Sequence, residues 1–244
     1  MTPCPSTKQT KDQNVKAASV GDRQLKSVAW SARTLAKAEL HDPSAELPWR
    51  RKRTAYRVFL AEFLLIRTRA DVVARLFETI FHRYPSIRSL AETREDELAK
   101  TLEPLGLRKR VPYLKRAALY IIENHRGRIP RDVNQLMKVP GLGAYSAVAI
   151  AAFAHKLPEV PADVNILRFL SRLTGLPMEH TTKGSKDLWS LLPLLSETES
   201  GLAPEKLLDF SRLICRPGRP KCEECPVRNG CAYFSTVRGR VSAS

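Results

Sequence analysis

The sequence has no apolar run long enough to cross a bilayer. Its longest strictly apolar stretch runs only from Ala147 to Ala154, whereas a membrane helix needs about 20 such residues. The N-terminal stretch from Met1 to Ser27 is polar and lacks the apolar segment of a secretory signal. A soluble, intracellular chain without a membrane partner is expected. No run of β-branched and aromatic residues alternates with period two over a useful length, which excludes a sizeable sheet, and no fixed-period repeat points to a solenoid. Acidic residues are scarce: the 244 residues carry 25 Asp and Glu against 41 Lys and Arg, a formal charge of +16 and a pI near 10.0. With 43% hydrophobic residues, the chain is too apolar for a disordered basic tail and long enough for one or two domains whose core needs no disulfide.

The positive charge is clustered. Residues 1–53 hold eleven basic and five acidic side chains, residues 101–131 eight and two, and residues 212–244 seven and two, while the remainder is close to neutral. Such clusters are the footprint of a nucleic-acid binder, because Lys and Arg release counterions from phosphates. A solvated basic surface that aids solubility is the alternative. A basic membrane-surface helix is disfavoured, since no strongly basic segment carries an opposing aromatic and leucine-rich face.

Residues 1 to about 24 read as a disordered tail, and the rest as helices. Tyr56 to Phe81 shows apolar residues at helical spacing throughout. Further helical stretches are Ile87–Leu90, Thr93–Leu102, Val111–Asn124, Val133–Lys138, Ala144–His155, Val164–Thr174, Ser185–Leu195 and Pro204–Ile214, separated by glycines and prolines. The expected class is all-α.

Four of the five cysteines, Cys215, Cys222, Cys225 and Cys231, form a C-x6-C-x2-C-x5-C pattern near the C-terminus. In an intracellular chain this density points to a metal, and spacing alone leaves a tetrahedral zinc site and a [4Fe-4S] cluster both open. Cys4 lies in the tail and reads as a bystander.

Leu136 to Ser146 places a Pro-Gly-x-Gly turn between two helices. Gly141 and Gly143 permit a positive φ and close backbone approach, and the free N–H groups that begin the following helix make a phosphate seat. A glycine pair alone is compatible with an ordinary turn; with Pro140 before it and an alanine-rich helix after it, the segment is a helix-hairpin-helix motif, which grips a DNA backbone without reading sequence. Downstream, Asp163 stands where an N-cap belongs, ahead of the apolar period of Val164, Leu167, Leu170 and Leu173. A carboxylate fixed there is also placed to stabilise a developing cation.

These segments together resemble the helix-hairpin-helix DNA glycosylase superfamily that includes endonuclease III and MutY. The resemblance runs from Leu47 to about Phe234. It rests on L-P-W-R (Leu47–Arg50), Y-R-V-F-L-A-E-F-L-L-I-R-T (Tyr56–Thr68), L-G-L-R-K-R (Leu105–Arg110), V-P-G-L-G-A-Y-S-A (Val139–Ala147), D-V-N-I-L-R (Asp163–Arg168) and the cysteine pattern. It implies a [4Fe-4S] cluster on the four cysteines. The implied fold is a six-helix domain, about residues 55–163, and a cluster domain built from residues 25–54 and 164–244, with double-stranded DNA across the groove between them and one nucleotide flipped out.

The resemblance also assigns roles. Asp163 is the aspartate that stabilises an oxocarbenium-like sugar, and Asn165 its polar partner. Glu62 is a proton donor or water-positioning group at the base pocket. Tyr145 stands where the bifunctional endonuclease III type has lysine, which implies no Schiff base and hence a monofunctional enzyme. Arg67 and Leu107 would fill the gap left by the flipped nucleotide, with Arg67 near the orphaned base. Arg108, Lys109, Arg110, Gly141, Gly143 and Ser146 would contact the DNA backbone. A cytoplasmic, nucleoid-associated monomer is implied.

Two departures from MutY bear on the base removed. Ile66-Arg67-Thr68 replaces its Gln-Gln-Thr, and the chain ends about ten residues after Phe234, without room for the domain that recognises 8-oxoguanine. With Y-P-S (Tyr84–Ser86), R-G-R-I-P-R (Arg126–Arg131) and L-L-D-F-S-R-L-I-C (Leu207–Cys215), these look closer to the T:G mismatch glycosylases, which remove thymine or uracil opposite guanine. A MutY-like adenine glycosylase acting on A:G or A:8-oxoguanine is the alternative, because Glu62, Tyr145, Asp163 and Asn165 are common to both. A non-enzymatic DNA-binding module is a third reading, against which Glu62 and Asp163 together argue.

Overall fold

A computed structural model describes residues 20–40, 46–179, 185–196 and 201–241, with side chains through residue 236. Among these residues the secondary structure is helical, without strands. In chain order the α-helices are α1 (Asp22–Lys37), α2 (Pro48–Arg51), α3 (Ala55–Leu64), α4 (Ala70–Arg83), α5 (Ile87–Glu92), α6 (Glu95–Leu102), α7 (Val111–His125), α8 (Val133–Met137), α9 (Ala144–His155), α10 (Val164–Thr174), α11 (Lys186–Ser190), α12 (Leu192–Leu195), α13 (Pro204–Leu213) and α14 (Ala232–Val241). No described helix is long and apolar enough to cross a membrane. The chain divides into two compact units: one holds described residues 46–157, the other 20–40 together with those from 158 to 241. Residues 1–19, and with them Cys4 and most of the expected tail, lie outside the described residues.

In the first unit α3 is the central helix. Thr54 caps it by accepting the Arg57 N–H at 3.2 Å, and every residue from Arg57 to Leu64 is buried. It packs on α9, whose buried alanines at 147, 149, 151 and 152 let the two backbones approach. Phe59, Leu60, Phe63 and Leu64 are almost fully enclosed, each worth about 1.5–3 kcal/mol of transfer free energy. The one cation on this helix, Arg57, is buried with its charge matched. Its guanidinium pairs with Glu78, donates to the Pro48 carbonyl at 3.0 Å and lies over the rings of Phe77 and Phe81.

The periodicity from Tyr56 to Phe81 is not one helix. It breaks over Leu65–Arg69, where Arg67 takes a left-handed φ of 60° and the Thr68 N–H bonds back to the Leu65 carbonyl. The apolar spacing continues through the break because α3 and α4 bury against the same core. Ser185–Leu195 is likewise two short helices: Pro193, at the start of α12, has no N–H with which to continue the ladder.

In the second unit α10 turns a strongly one-sided apolar face inward through Ile166, Leu167, Phe169, Leu170 and Leu173, and stops at Gly175, whose φ is +76°. Phe169 meets Phe210 of α13 edge to face at 5.1 Å. The helix α1 begins at Asp22, inside the segment expected to be a tail, and it belongs to this unit despite its distance in sequence. Ser27 Oγ donates to the Gly230 carbonyl at 3.0 Å, Lys206 Nζ donates to the Ala36 carbonyl at 2.7 Å, and the Trp30 ring lies so close to Gly230 that a Cβ there would meet it at 2.7 Å.

Candidate functional site

In the first unit, Glu62 sits on a helix with almost no solvent face. It is 8% exposed and accepts no hydrogen bond from another described residue. Burial alone pushes its carboxyl up to about 8 from the ordinary 4.5, so at neutral pH it carries a proton it can give away. The following turn presents Arg67 to solvent in its left-handed conformation. Such a φ on a non-glycine residue costs of order 1–3 kcal/mol and persists where the surroundings impose it.

The second side of this region is the segment after Gly106. The structure separates four residues that the sequence groups as DNA contacts. Leu107, expected to enter the duplex, is 5% exposed: Gly106, at φ +68°, turns the chain so that this side chain points into the core. Arg108 is exposed and 3.7 Å from Glu103, while Lys109 is exposed. Arg110 turns inward, donating from its guanidinium to the Gly141 carbonyl at 3.2 Å beside the rings of Phe63 and Tyr113. Burial, and then the neighbouring Arg67, lower its pKa, and its buried Nε has no partner among the described residues. Arg110 therefore braces the hairpin instead of reaching outward.

Between α8 and α9, Gly141 has φ +82°, and a Cβ there would lie 2.9 Å from the Tyr113 Cβ and 3.2 Å from the Phe63 ring. The fold itself demands glycine. Gly143 differs from the expectation of a positive φ: it is extended at φ −93°, exposed, and open space surrounds the place of its Cβ. It caps α9, whose first N–H groups have no partner within the helix. Tyr145 is 41% exposed in that first turn, but Ser146, expected to meet DNA, is 5% exposed because it lies on the face of α9 turned to the core.

In the second unit, Asp163 caps α10. Its Oδ1 accepts the N–H groups of Asn165 and Ile166, both at 2.9 Å, and its Oδ2 accepts the Asn165 side-chain amide at 2.5 Å. Asn165 Oδ1 accepts in turn from Arg168 at 3.0 Å, and Arg168 donates to the carbonyls of Ser211 at 2.9 Å and Cys215 at 3.0 Å. The sequence gives Arg168 only as the last residue of the D-V-N-I-L-R motif and assigns no role to it or to the neighbouring Arg172. The signal was present in the i, i+3 spacing of Asn165 and Arg168, which puts them on one helix face.

The four cysteines are free of disulfides. Each of Cys222, Cys225 and Cys231 feels the charge of other members of the set, and burial pushes their thiols up, Cys225 to about 11. Against this, the sulfurs accept hydrogen bonds: Cys225 from the Val227 N–H, Cys231 from the N–H groups of Tyr233 and Phe234, and Cys215 from Arg172 at 3.6 Å. Among the described residues, no group of three or more Cys, His, Asp or Glu side chains is arranged to hold a metal ion. The donor set, four thiols with cationic and N–H partners, has the chemistry an iron–sulfur cluster takes.

A family model described as "HhH-GPD superfamily base excision DNA repair protein" matches residues 60–194. The chain is 32% identical over 193 residues to a thymine/uracil-DNA glycosylase of Methanothermobacter thermautotrophicus, covering 78% of this chain and 86% of that one. It is 30% identical over 210 residues to the adenine DNA glycosylase of Mus musculus, covering 81% of this chain but 41% of that one. The solved structure of a thermostable thymine-DNA glycosylase superposes with a TM-score of 0.76 at 29% identity, over 88% of this chain and 98% of that one. The chain belongs to the HhH-GPD superfamily of base excision DNA repair proteins.

Proposed function

We propose that this DNA N-glycosylase excises thymine, or uracil, mispaired with guanine in duplex DNA, by hydrolysis and without cutting the strand. The observation that carries the choice of base is the likeness to a thymine/uracil-DNA glycosylase over most of that protein's length. Glu62, kept protonated by burial, gives its proton to the departing base as the C1′–N bond breaks and the bonding pair leaves with the base. Asp163, held in one orientation by three donors, sets its carboxylate against the positive charge that develops on the sugar. Water adds to C1′, its surplus proton returns to Glu62, and an abasic site remains. Asn165 orients Asp163. Tyr145, which has no amine, forms no Schiff base.

The amides at Gly143 and the start of α9 seat a backbone phosphate, Arg108 and Lys109 add positive charge, and Arg67, which the turn presents to solvent, fills the place of the flipped nucleotide. Cys215, Cys222, Cys225 and Cys231 hold a [4Fe-4S] cluster, which when bound supplies a rigid centre for the C-terminal loops. The enzyme acts as a monomer on chromosomal DNA in the cytoplasm. The test is incubation with duplexes containing T:G, U:G, A:G and A:8-oxoguanine, followed by alkali. Cleavage at thymine and uracil is expected. Cleavage of adenine strands alone would overturn the choice of base, and none on any duplex would leave a binding module.

A further inference from the structure

We propose that Tyr113 and Arg116 form a second phosphate contact beside the hairpin, an inference that rests on the hairpin being a DNA seat. Tyr113, in the first turn of α7, is 46% exposed although it is a large aromatic, and its Cβ packs directly on Gly141. Its hydroxyl has no partner among the described residues. The Arg116 guanidinium lies 4.7 Å over the Tyr113 ring, and its Nε donates to the Pro112 carbonyl at 3.3 Å. Arg116 is exposed and makes no ion pair with a described residue, so its terminal amino groups are held in place yet uncommitted. Arg110, the cation that the sequence assigns to this place, is spent on Gly141.

A guanidinium stacked on an exposed ring is a fixed, planar donor suited to a phosphodiester. Arg108 and Lys109, both exposed just ahead of α7, add positive charge in the chain next to Tyr113 and Arg116, as a polyanion requires. Because Tyr113 touches Gly141 and carries Arg116 on its ring, a backbone seated at the hairpin gains a second phosphate contact from α7.

The test is a salt series of fluorescence anisotropy on a fully paired and a T:G duplex with the parent chain, Arg116→Gln, Tyr113→Ala and the double variant. Losing one phosphate contact makes the slope of log affinity against log salt shallower by about 0.9, so the advantage of the parent shrinks about eightfold per tenfold rise in salt. Arg116→Gln should show this change equally on both duplexes. Tyr113→Ala should weaken binding, with Arg116→Gln costing less on top of it than alone. Unchanged affinity and slope in both single variants, while the parent binds duplex, would overturn the pair and leave the hairpin reading standing. A parent that binds no duplex would overturn both. Arg116→Gln alters an exposed side chain and keeps the fold, so an unfolded Tyr113→Ala protein leaves the slope measurement decisive.

Discussion

Arg168 reaches Asp163 through a single side chain: Asn165 donates to Asp163 Oδ2 at 2.5 Å and accepts from Arg168 at 3.0 Å. Arg168 is itself anchored on the carbonyls of Ser211 and Cys215. The aspartate that caps α10 is thereby tied to the loop carrying the first cysteine, so its orientation depends on more than its own helix.

Asn165→Ala should cut single-turnover base release from a T:G duplex by about 10², the cost of an ångström-scale misplacement of a reacting group. The fold should hold, since Asp163 Oδ1 keeps both backbone bonds of the cap. Asp163→Asn, which retains an oxygen for those bonds but loses the charge, should abolish base release while still binding duplex in an anisotropy assay. Parent-like release from Asp163→Asn would remove the assigned role.

Glu62 should link both base release and stability to pH. Burial raises its folded-state pKa from 4.5 to about 8, so between those values the folded protein holds a proton that the unfolded chain gives up. The contribution of Glu62 to stability is therefore full below pH 4.5 and is lost as pH rises to about 8, by up to about 5 kcal/mol. Chemical denaturation of Glu62→Gln across pH 5–9 should show this loss gone. Its base release should fall by about 10²–10⁴, the usual worth of a positioned acid. Parent release itself should decline above pH 8. A stability profile identical in parent and variant would show that Glu62 titrates as an ordinary surface carboxylate.

The two hairpin glycines answer to different demands. Gly141 combines a left-handed φ, worth about 1–2 kcal/mol against any other residue, with a Cβ position already occupied by Tyr113 and Phe63. Gly143 has an ordinary φ and open space around it. Gly141→Ala should lower the melting temperature markedly. Gly143→Ala should cost below about 1 kcal/mol, the difference between these residues at an N-cap, yet weaken duplex binding, because the added methyl stands where the backbone must approach. Melting curves that rank the two variants in the opposite order would refute this division.

Much of this was legible in the sequence. The apolar period of α10 marked Asp163, immediately ahead of it, as a cap, and the structure adds three donors to that position. Glycine–proline punctuation placed the α8–α9 turn. What periodicity could not report is which residues a distant segment covers. Leu107, Arg110 and Ser146 all stand next to exposed neighbours in sequence, but each is turned inward by contacts to other parts of its unit. The break at Arg67 was hidden for a related reason: both flanking helices keep the apolar period of one core, and a left-handed arginine carries no composition signal. The place of α1 against Gly230 rests on contacts made some 200 residues away.

The cysteines give a prediction independent of base release. Protein prepared without oxygen should contain iron and sulfide in equal amounts and absorb visible light, and Cys225→Ser should lose both together with thermal stability. Stoichiometric zinc without iron would replace the cluster with a tetrahedral site on the same residues.

Tyr145→Lys tests the absence of a strand-cleaving step. The side chain at 145 is exposed in the first turn of α9, where the positive end of the helix dipole disfavours an ammonium group. A lysine there should be deprotonated more readily than in water and so act as a nucleophile toward C1′ of the sugar. The amine nitrogen would bond to C1′ as the base departs with its bonding pair; the nitrogen then gives up a proton and the C1′–O4′ bond opens, O4′ taking up a proton, to give an imine that borohydride reduces to a stable enzyme–DNA adduct. The variant should form this adduct on a T:G duplex and nick the strand without alkali, whereas the parent should do neither. A parent chain that traps with borohydride would show that another amine already serves, and a variant that excises the base without ever trapping would show that position 145 does not face the sugar.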